Sequence, residues 1–561
     1  MAPPTFPELF NLADYCLFNR LKEGRGNHTA VRFGNRSYTY DLVATVSRAL
    51  RGHLLARGVT REGRVLLLLH DTPAYPWALF GALHHGCVVA MGNPDAPPAD
   101  LAYLVEYTRA QAVIALTRTA VSLGPALRDD DLLRTVVLVP EVETGGDVTT
   151  KVEHPEDLQG LPVSSLQEAL AEGKAHMKDT PRPTRRDEVA LWLFTSGSTG
   201  KPKAAMHAHR DFAFNTEVYA KGTVGYRPED VTVSVPRLFF GYATGTNLFF
   251  PFAVGATTAL FAERPTPEVL CREIERHRPT VVTNVPTMMA KLLDEDLART
   301  AVGKEPLDLS GVRFHLSAGE ALPPTLLSRF TERFKTDVYD GIGSAELFHI
   351  YCTNRPGDVK PGSLGRAVEG YTLRILSSDA EGPGAPELPT GETGVLWVKG
   401  DSVAFGYFHD RDKSWGTFHG HWCRTGDLFR IDGDGYLWFS GRADDLLKVG
   451  GVWVAPTEVE ECLLQHPAVS LAAVLGYEDE GLVKPKAYVV LRDDARVEAA
   501  TEEGARVLAE ALKAHVKERL SPHKYPRRVV FVGELPRTDR GKVDKKSLKD
   551  AEARGEAPRG Y

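Results

Sequence analysis

Short apolar runs alternate with longer mixed segments along the N-terminal half of the chain. Val65–Leu69 is a continuous aliphatic run, and the segment after it carries Tyr75, Leu79 and Leu83 at helical spacing. A strand, an amphipathic helix and a second strand in this rhythm are typical of βαβ units and of a largely parallel sheet. The further strands predicted from this pattern are Val88–Met91, Val113–Leu116, Val136–Val139, Val189–Phe194, Val231–Val235, Thr257–Phe261 and Val281–Val285.

Between these strands the pattern predicts helix and loop. Pro267–His277 is predicted as a crossover helix. Residues 141–160 and 172–187 are polar and rich in Gly, Pro and charge, so we expect surface loops there.

The pattern changes after about residue 370. Short apolar runs at Tyr371–Leu376, Val395–Val398 and Tyr436–Phe439 are separated by turns rich in Gly and Asp. This arrangement predicts a smaller antiparallel or barrel-like layer.

The C-terminal part of the chain has a mixed pattern. Residues 501–520 place Ala505, Leu508, Leu512 and Val516 on one helical face. Lys486–Leu491 and Val529–Val532 are predicted strands, and the charged tail after Lys549 is expected to fray. We therefore expect a separate α+β unit here.

Composition narrows the class of protein. The 561 residues are 43% hydrophobic and 25% charged, which is typical of globular chains and excludes disorder, collagen and coiled coil as the main architecture. The formal net charge of −7 provides no bulk basic field, so no nucleic-acid partner is expected.

The cysteines and the N-terminus indicate the cellular compartment that the sequence predicts. The six cysteines are scattered without a C-x-x-C pair, which argues against a disulfide framework and a zinc site. The N-terminus lacks the features of a secretory signal, and the run Val65–Leu69 is far short of the ~20 residues that span a bilayer. The sequence thus predicts a cytoplasmic protein with no membrane partner.

A loop rich in glycine and hydroxyl groups follows the strand Val189–Phe194. Its glycines let backbone N–H groups approach anionic oxygens, and Lys203 adds positive charge. It is not a Walker loop, because Thr195 and Pro202 stand where that motif needs Gly and Ser or Thr. The alternative is a flexible linker. The residues predicted to bind phosphate are Thr195, Ser196, Gly197, Ser198, Thr199, Gly200 and Lys203.

Residues 195–203 resemble the signature of the adenylate-forming superfamily, which includes acyl-CoA synthetases, peptide-synthetase adenylation domains and luciferases. Other segments resemble further motifs of that superfamily in the expected order, and the resemblance covers almost the whole chain. They are Ser317–Pro323 (adenine-framing), Tyr339–Glu346 (magnesium-binding), Thr425–Asp427 (ribose-binding), Ser440–Asp445 (domain junction) and Pro536–Lys542 (catalytic lysine).

The resemblance implies a fold and a set of nucleotide-binding residues. It implies a large N-terminal adenylation domain at 1–441, a hinge at 442–446 and a small mobile C-terminal domain at 447–561. The catalytic residues would be Lys542, Glu346 and Lys203, with Glu346 as the metal ligand. ATP or AMP would contact the phosphate loop together with Gly319, Glu320, Tyr339, Asp340, Gly341, Ile342, Asp427 and Arg442.

These residue types also suit the chemistry that the resemblance implies. A carboxylate is a poor acyl donor, and transfer to AMP gives a mixed anhydride with a good leaving group. Negative charge on the departing pyrophosphate must be neutralised. Mg²⁺ prefers carboxylate and phosphate oxygens, which suits Glu346. The alternatives are that Glu346 is a helix N-terminal acid, Asp427 a turn residue and Lys542 a solvated charge.

Two positions depart from the pattern of the superfamily. Ala345 stands where many relatives carry Thr, and a lost hydroxyl contact costs about 0.5–1.5 kcal/mol. Ile342 stands where many relatives stack a Tyr on adenine, so adenine would be held by apolar contact or by Tyr339. The essential charges remain, and we expect activity.

Within the superfamily, several segments are similar to benzoate–CoA ligases and related aryl-CoA ligases. The resemblance implies a flat aryl pocket, and His349 would offer a polar contact to the carboxylate or a ring substituent. The alternatives are that His349 is a core histidine and that Phe239 and Phe240 are general core. The similar segments are Asn11–Tyr15, Glu23–Gly26, Leu238–Tyr242, Gly341–Ser344 and Leu347–Ile350. The implied pocket residues are Gly241, Tyr242, Gly319, Ile342 and His349.

A second half-reaction with a thiol is implied as well. The C-terminal domain would swing about Asp444 and withdraw Lys542. Lys448, Gly450 and Gly451 would then lie beside a pantetheine tunnel, although the two glycines also suit a simple hairpin turn.

The sequence therefore predicts an ATP- and Mg²⁺-dependent ligase that joins a small aromatic acid to coenzyme A. The alternative is a stand-alone adenylating enzyme that loads the phosphopantetheine of a carrier protein, and the absence of a D-S-L-type carrier segment favours free CoA. A catalytically inactive nucleotide-binding scaffold and a luciferase-like oxygenase are less favoured. The ring substituents and the oligomeric state are not predicted.

Overall fold

The structure is a computed structural model. It describes residues 4–177, 183–196, 201–442, 447–449, 452–479, 482–536 and 543–556.

The strands follow the apolar runs of the sequence. In chain order they are β1 (Thr29–Phe33), β2 (Arg36–Thr39), β3 (Arg64–Leu68), β4 (Val88–Met91), β5 (Ala112–Leu116), β6 (Thr135–Val139), β7 (Val163–Ser165), β8 (Val189–Ser196), β9 (Pro202–Ala208), β10 (Val231–Ser234), β11 (Thr257–Leu260), β12 (Val281–Asn284), β13 (Phe314–Ser317), β14 (Asp337–Gly343), β15 (Ile350–Thr353), β16 (Arg366–Ala367), β17 (Thr372–Leu376), β18 (Gly394–Lys399), β19 (Phe418–His419), β20 (Trp422–Ile431), β21 (Leu437–Arg442), β22 (Leu447–Val449), β23 (Val452–Val454), β24 (Val469–Asp479), β25 (Leu482–Leu491) and β26 (Arg528–Phe531).

Helices fill the connections. The α-helices are α1 (Asn19–Lys22), α2 (Tyr40–Ala56), α3 (Ala74–His85), α4 (Pro98–Thr108), α5 (Thr117–Arg128), α6 (Leu166–Ala175), α7 (His209–Asn215), α8 (Gly241–Thr244), α9 (Phe250–Val254), α10 (Pro267–His277), α11 (Pro286–Ala301), α12 (Pro324–Phe334), α13 (Arg411–Thr417), α14 (Pro456–Leu464), α15 (Asp493–Glu498), α16 (Glu502–Arg519) and α17 (Lys545–Ala553). The π-helical turns are Asp14–Phe18, Thr216–Val224 and Gly245–Phe249, and the 3₁₀ turns are Glu156–Leu158 and Ala345–Leu347.

Local sequence sets several of the helix starts. The Thr39 hydroxyl accepts a hydrogen bond from the Leu42 N–H and caps α2, and Thr266 caps α10 in the same way. Ser165 and Glu168 form a capping box at α6. Pro267 stands at the first position of α10, where its missing N–H costs nothing.

Two large sheets form the N-terminal part of the chain. The first has the strand order β7-β6-β5-β3-β4-β8-β9, and all neighbours are parallel except β8 and β9. The second has the order β16-β15-β14-β13-β12-β10-β11-β1-β2, with a parallel centre and antiparallel edges. Each sheet packs its aliphatic side chains against its own helices, which gives the buried core.

The chain divides into two compact units. The first comprises Met1–Leu373 with Val398–Arg424, and the second comprises Arg374–Trp397 with Thr425–Tyr561. In the second unit, β24 and β25 form a long hairpin, and β25 also pairs with β26. Helices α14 and α16 pack against this sheet. The sequence-derived boundary at residue 441 and the hinge at 442–446 stay predictions.

The predicted fold class is confirmed, because the large parallel sheets and the smaller C-terminal α+β unit are both present. The predicted strands match within a few residues, and α10 has the predicted bounds. One local prediction was wrong, because residues 172–175 belong to α6 rather than to a loop. Helix α17 ends at Ala553, and the fraying of the tail stays a prediction.

All six cysteines are free and buried. A search of the described helices finds none with the length and apolar character needed to cross a membrane.

Helices α2 and α6 approach each other through two glycines. A Cβ on Gly173 would lie 1.7 Å from the carbonyl oxygen of Ala49, and one on Gly52 would lie 2.1 Å from the carbonyl oxygen of Gly173. No side chain fits at these distances, so the two backbones are in direct contact.

We expect Gly173→Ala to lower the free energy of unfolding by about 2–3 kcal/mol, because the added methyl group must push α2 and α6 apart. Urea unfolding followed by circular dichroism measures the shift. Gly416→Ala is the control, since a Cβ there meets nothing within 4 Å near the end of α13, and it should be neutral or stabilising by up to about 1 kcal/mol. Equal stability of the two variants would contradict the close helix contact.

Candidate active site

The β8–β9 hairpin carries the predicted phosphate loop. Thr195 on β8 lies opposite Lys203 on β9, and Ser196 lies opposite Pro202. The hairpin therefore places Lys203 at the base of the loop. The loop residues Gly197, Ser198, Thr199 and Gly200 lie outside the described residues.

Tyr407 connects two predicted catalytic residues. Its hydroxyl donates a hydrogen bond of 2.6 Å to Oε1 of Glu346. The ammonium of Lys203 lies 3.8 Å from the centroid of the same ring, which is a cation–π contact. Lys203 and Glu346 are thus brought together, as the resemblance implies, through a residue that the sequence analysis did not select.

Backbone hydrogen bonds hold this arrangement. The segment 404–408 runs along the free edge of β9, where Met206 N–H donates to Gly406 and Phe408 N–H donates to Ala204. At the start of the same segment, Ala404 N–H donates to the Glu346 carbonyl over 2.9 Å. Since β9 carries Lys203, one segment fixes the backbone of both charged residues.

A strained turn follows Glu346. Phe348 has φ 69° and ψ −58°, and His349 N–H donates to the Leu347 carbonyl over 2.9 Å, so the three residues form a classic γ-turn. Such a turn at a bulky residue costs about 1–3 kcal/mol and needs support from its surroundings. The buried Phe348 ring packs on Phe212, with a centroid distance of 4.4 Å.

Buried polar side chains supply further support. His207 Nε2–H donates to the Ala345 carbonyl over 2.6 Å, and its Nδ1 lies 3.1 Å from the Asp211 carboxylate. Burial raises the pKa of Asp211. The Ser402 hydroxyl donates to the Leu347 carbonyl over 2.9 Å. Hydrogen bonds therefore hold the backbone on both sides of Glu346.

The predicted adenine-framing residues lie at the carboxyl ends of parallel strands. Asn284 on β12, Ser317 on β13 and Asp340 on β14 stand side by side in register. Gly319 follows β13 with φ +89°, a conformation that favours glycine. The carboxyl edge is where open α/β sheets bind their ligands, which agrees with the predicted role.

Glu320, Tyr339 and Gly341 are engaged by the protein itself. The Glu320 carboxylate accepts hydrogen bonds from the N–H and hydroxyl of Thr287. The Tyr339 hydroxyl donates to Asp337 over 3.0 Å, and its ring is buried. Gly341 has no room for a Cβ, which would lie 2.8 Å from the Cys352 carbonyl oxygen.

Asp340 is a buried acid. Burial raises its pKa to about 8, and its Oδ1 has no hydrogen-bond partner among the described residues. Its carbonyl accepts from the backbone N–H and the side chain of Asn354, which fixes β14 at this point. Ile342, which lies two residues after Asp340 on β14, is half-buried.

The predicted aryl-pocket residues come together at α8. Gly241 and Tyr242 begin α8, and the ring of Tyr242 lies 5.3 Å from that of His349. His349 Nε2–H donates to the Tyr242 carbonyl over 3.0 Å. Gly241 leaves little free space, because a Cβ there would lie 3.2 Å from Leu193.

The environment of His349 limits what it can do. Burial lowers its pKa to about 3, so the imidazole is neutral. Since Nε2 carries the proton that bonds Tyr242, Nδ1 is an acceptor, and it has no partner among the described residues. An acceptor cannot bond a substrate carboxylate. Of the two contacts predicted from the sequence, only the one to a ring N–H or O–H remains chemically possible.

The other predicted site residues lie in the second unit. Asp427 on β20 stands directly opposite Arg442 on β21, so the two predicted ribose contacts share one antiparallel pair. Lys448 pairs with Trp453 in a hairpin of β22 and β23. Gly450, Gly451, Asp444 and Lys542 lie outside the described residues.

Glu346 is the predicted ligand of a magnesium ion. The described part of the chain contains no group of three His, Cys, Asp or Glu side chains that could hold a metal ion. One carboxylate beside phosphate oxygens is the arrangement that Mg²⁺ accepts, and Glu346 fits it.

The fold and this site define a class of enzyme. The β8–β9 hairpin contributes a lysine to the site and the segment after β14 contributes a carboxylate, and the chain also contains a C-terminal α+β unit. Residues 18–408 match the family model of the AMP-binding enzymes, and residues 458–542 match that of the AMP-binding enzyme C-terminal domain. The chain belongs to the AMP-binding enzyme family, as the sequence predicted.

Two relatives are similar to this chain over nearly its full length. The chain is 38% identical to the benzoate–CoA ligase of Thauera aromatica over 98% of both chains. It is 36% identical to a 4-hydroxybenzoate–CoA/benzoate–CoA ligase of Rhodopseudomonas palustris over 96% of this chain and 94% of the relative.

Solved structures agree with these relatives. A benzoate CoA ligase from Burkholderia xenovorans LB400 superposes with a TM-score of 0.80 at 37% identity, covering 96% of this chain and 100% of that one. The anthranilate CoA ligase AuaEII in complex with anthranoyl-AMP gives a TM-score of 0.84 at 32% identity, covering 98% of each chain.

Several residues that shape the site were not predicted from the sequence. Tyr407, His207, Asp211, Ser402 and Phe348 all act through contacts with distant parts of the chain. Tyr407 is 61 residues from Glu346, and His207 is 138 residues from Ala345. The aromatic run around Tyr407, which follows a glycine, was the one local signal available.

We expect Asp340→Asn to stabilise the protein more at pH 8 than at pH 5. The unfolded acid ionises near pH 4 and the folded acid near pH 8, so wild-type stability falls as the pH rises through this window. The slope is at most about 1.4 kcal/mol per pH unit. Denaturant midpoints of variant and wild type at both pH values test this. The exposed Asp131→Asn is the control, and a pH-independent difference for Asp340→Asn would contradict the raised pKa.

Proposed function

We propose that this chain is an ATP-dependent aryl-acid–CoA ligase. It would convert benzoate or a substituted benzoate to aryl-AMP and then to aryl-CoA, with release of pyrophosphate and AMP. The observation that carries the proposal is the near full-length match to benzoate–CoA ligases. The contacts that link Lys203 and Glu346 through Tyr407 support it.

In the first half-reaction, a carboxylate oxygen of the aryl acid attacks the α-phosphorus of ATP and pyrophosphate leaves. Lys203 at the base of the hairpin would bind phosphate oxygens, and Lys542 would stabilise the bridging oxygens. Glu346 would hold Mg²⁺, which would neutralise phosphate charge. Preorganised charges of this kind are the main source of rate in phosphoryl transfer.

The nucleotide would be held by the adenine-framing and ribose-binding residues that the resemblance implies. Gly319, Glu320, Tyr339, Asp340, Gly341 and Ile342 would frame the adenine. Asp427 and Arg442, which lie opposite each other on β20 and β21, would bind the ribose. A carboxylate that accepts two sugar hydroxyls beside a guanidinium suits this task.

The aryl acid would lie against Gly241, Tyr242, Gly319, Ile342 and His349. Tyr242 offers an aromatic wall, and its buried hydroxyl has no partner among the described residues. The neutral His349 offers Nδ1 as an acceptor. We therefore propose that His349 acts toward the ring and not toward the carboxylate.

In the second half-reaction, the thiolate of CoA attacks the acyl carbon and AMP leaves. We propose that Asp444 is the hinge for a swing of the C-terminal domain, and that Lys448, Gly450 and Gly451 line the pantetheine path. Transfer to a carrier protein instead of CoA remains the alternative outcome for this step.

The purified protein with ATP, Mg²⁺ and benzoate or a substituted benzoate should release pyrophosphate, and addition of CoA should give an aryl thioester. A panel of aryl and alkyl acids, run with and without CoA, measures both steps. Turnover of medium-chain fatty acids with no aryl acid accepted would overturn the pocket assignment. Adenylation with no CoA thioester would favour the carrier-protein alternative.

Lys542→Ala should lower aryl-acid-dependent ATP–pyrophosphate exchange by at least about 100-fold, because a preorganised cation is lost from the first transition state. Reaction of supplied aryl-AMP with CoA should stay near the wild-type rate. Lys546→Ala, at an exposed position of α17, is the control and should change neither step. Equal loss of both half-reactions in Lys542→Ala would count against a role confined to adenylation.

A further inference from the structure

Lys203, Tyr407 and Glu346 form a group that we call the Tyr407 cluster. We propose that Tyr407 is a positioning residue, which orients the Glu346 carboxylate and the Lys203 ammonium for magnesium–ATP. The proposal rests on the function proposed above, because it assigns a role within the adenylation step.

The hydrogen bond to Glu346 is the first part of the argument. The Tyr407 hydroxyl donates to the Glu346 carboxylate over 2.6 Å. A hydrogen bond to an ionised acceptor is charge-assisted and roughly twice as strong as one between neutral groups. The bond from Tyr407 occupies Oε1, and Oε2 has no hydrogen-bond donor among the described residues. Tyr407 thus fixes the orientation of the carboxylate while one oxygen stays available for a cation.

The contact with Lys203 is the second part. A lysine side chain has a flexible four-carbon stem, so the position of its ammonium group varies unless another group fixes it. The face of the Tyr407 ring attracts the ammonium at 3.8 Å from the centroid. One side chain therefore positions a cation on its face and an anion at its hydroxyl.

The Tyr407 side chain is itself held rigidly. It is 5% exposed, and its ring packs on Phe418 with a centroid distance of 5.1 Å. Its backbone N–H donates to the Ser414 hydroxyl over 2.8 Å, and its neighbours pair with the edge of β9. A mobile ring could not define the positions of two charges, whereas this one can.

Tyr407→Phe tests the hydroxyl alone, because the ring remains under Lys203. We expect kcat for pyrophosphate release to fall about 10- to 100-fold, as for a lost hydrogen bond to a charged group. The Mg²⁺ concentration that gives half-maximal rate should rise about 10-fold, and KM for the aryl acid should stay within about 2-fold of wild type. Tyr407→Leu, which also removes the ring, should be slower still.

Tyr40→Phe is the matched control, since Tyr40 is fully buried and its hydroxyl also donates over 2.6 Å, to the Ala256 carbonyl. It should lose comparable thermal stability and keep the wild-type Mg²⁺ dependence. In a Glu346→Gln background, Tyr407→Phe should cost less than about 3-fold, because the two residues act together. An unchanged Mg²⁺ dependence in Tyr407→Phe, or a full effect in the Glu346→Gln background, would overturn the proposal.

A binding measurement separates this proposal from the proposed function. Calorimetric titration of ATP at several Mg²⁺ concentrations reports on the Tyr407 cluster without turnover. If wild type releases no pyrophosphate with any aryl acid, the aryl-acid–CoA ligase assignment fails. The Mg²⁺-dependent part of the ATP affinity still decides the role of Tyr407: weaker in Tyr407→Phe supports it, and equal to wild type contradicts it.

Discussion

The γ-turn at Phe348 is the constraint on which the site depends. It reverses the chain between Glu346 and His349, so that the carboxylate meets Tyr407 and the imidazole meets the Tyr242 carbonyl. The strain of about 1–3 kcal/mol is offset by the buried packing of the Phe348 ring and by hydrogen bonds to the flanking carbonyls. The turn therefore separates a charged side, where we propose that the nucleotide binds, from a neutral aromatic side within four residues.

The two sides of the turn differ in charge. Around Tyr407, a cation and an anion are held in fixed positions by one ring. Around His349, burial keeps the imidazole neutral among aromatic rings. Under the proposed function, the charged side would meet the developing phosphate charge and the neutral side would hold the ring of the aryl acid. This division would suit adenylation, in which only the carboxylate changes its bonding.

Sequence alone predicted what depends on local pattern. The aliphatic runs predicted the parallel strands, because strands that are buried on both faces consist of continuous apolar residues. Tyr407 and His207 could not be predicted, because their partners lie 61 and 138 residues away and neither residue type signals such a contact. The role of His349 was undecided for the same reason, since its tautomer depends on the Tyr242 carbonyl.

The structure also explains why Ala345 is compatible with an ordered site. The segment that carries Glu346 is held through backbone atoms, since the Ala345 carbonyl accepts from His207 and the Glu346 carbonyl accepts from Ala404. Neither bond involves the side chain at position 345. The alanine therefore leaves these hydrogen bonds intact, and we expect its cost to be one hydroxyl contact of about 0.5–1.5 kcal/mol. We therefore expect the charges of the Tyr407 cluster to matter more than that hydroxyl for the proposed nucleotide binding.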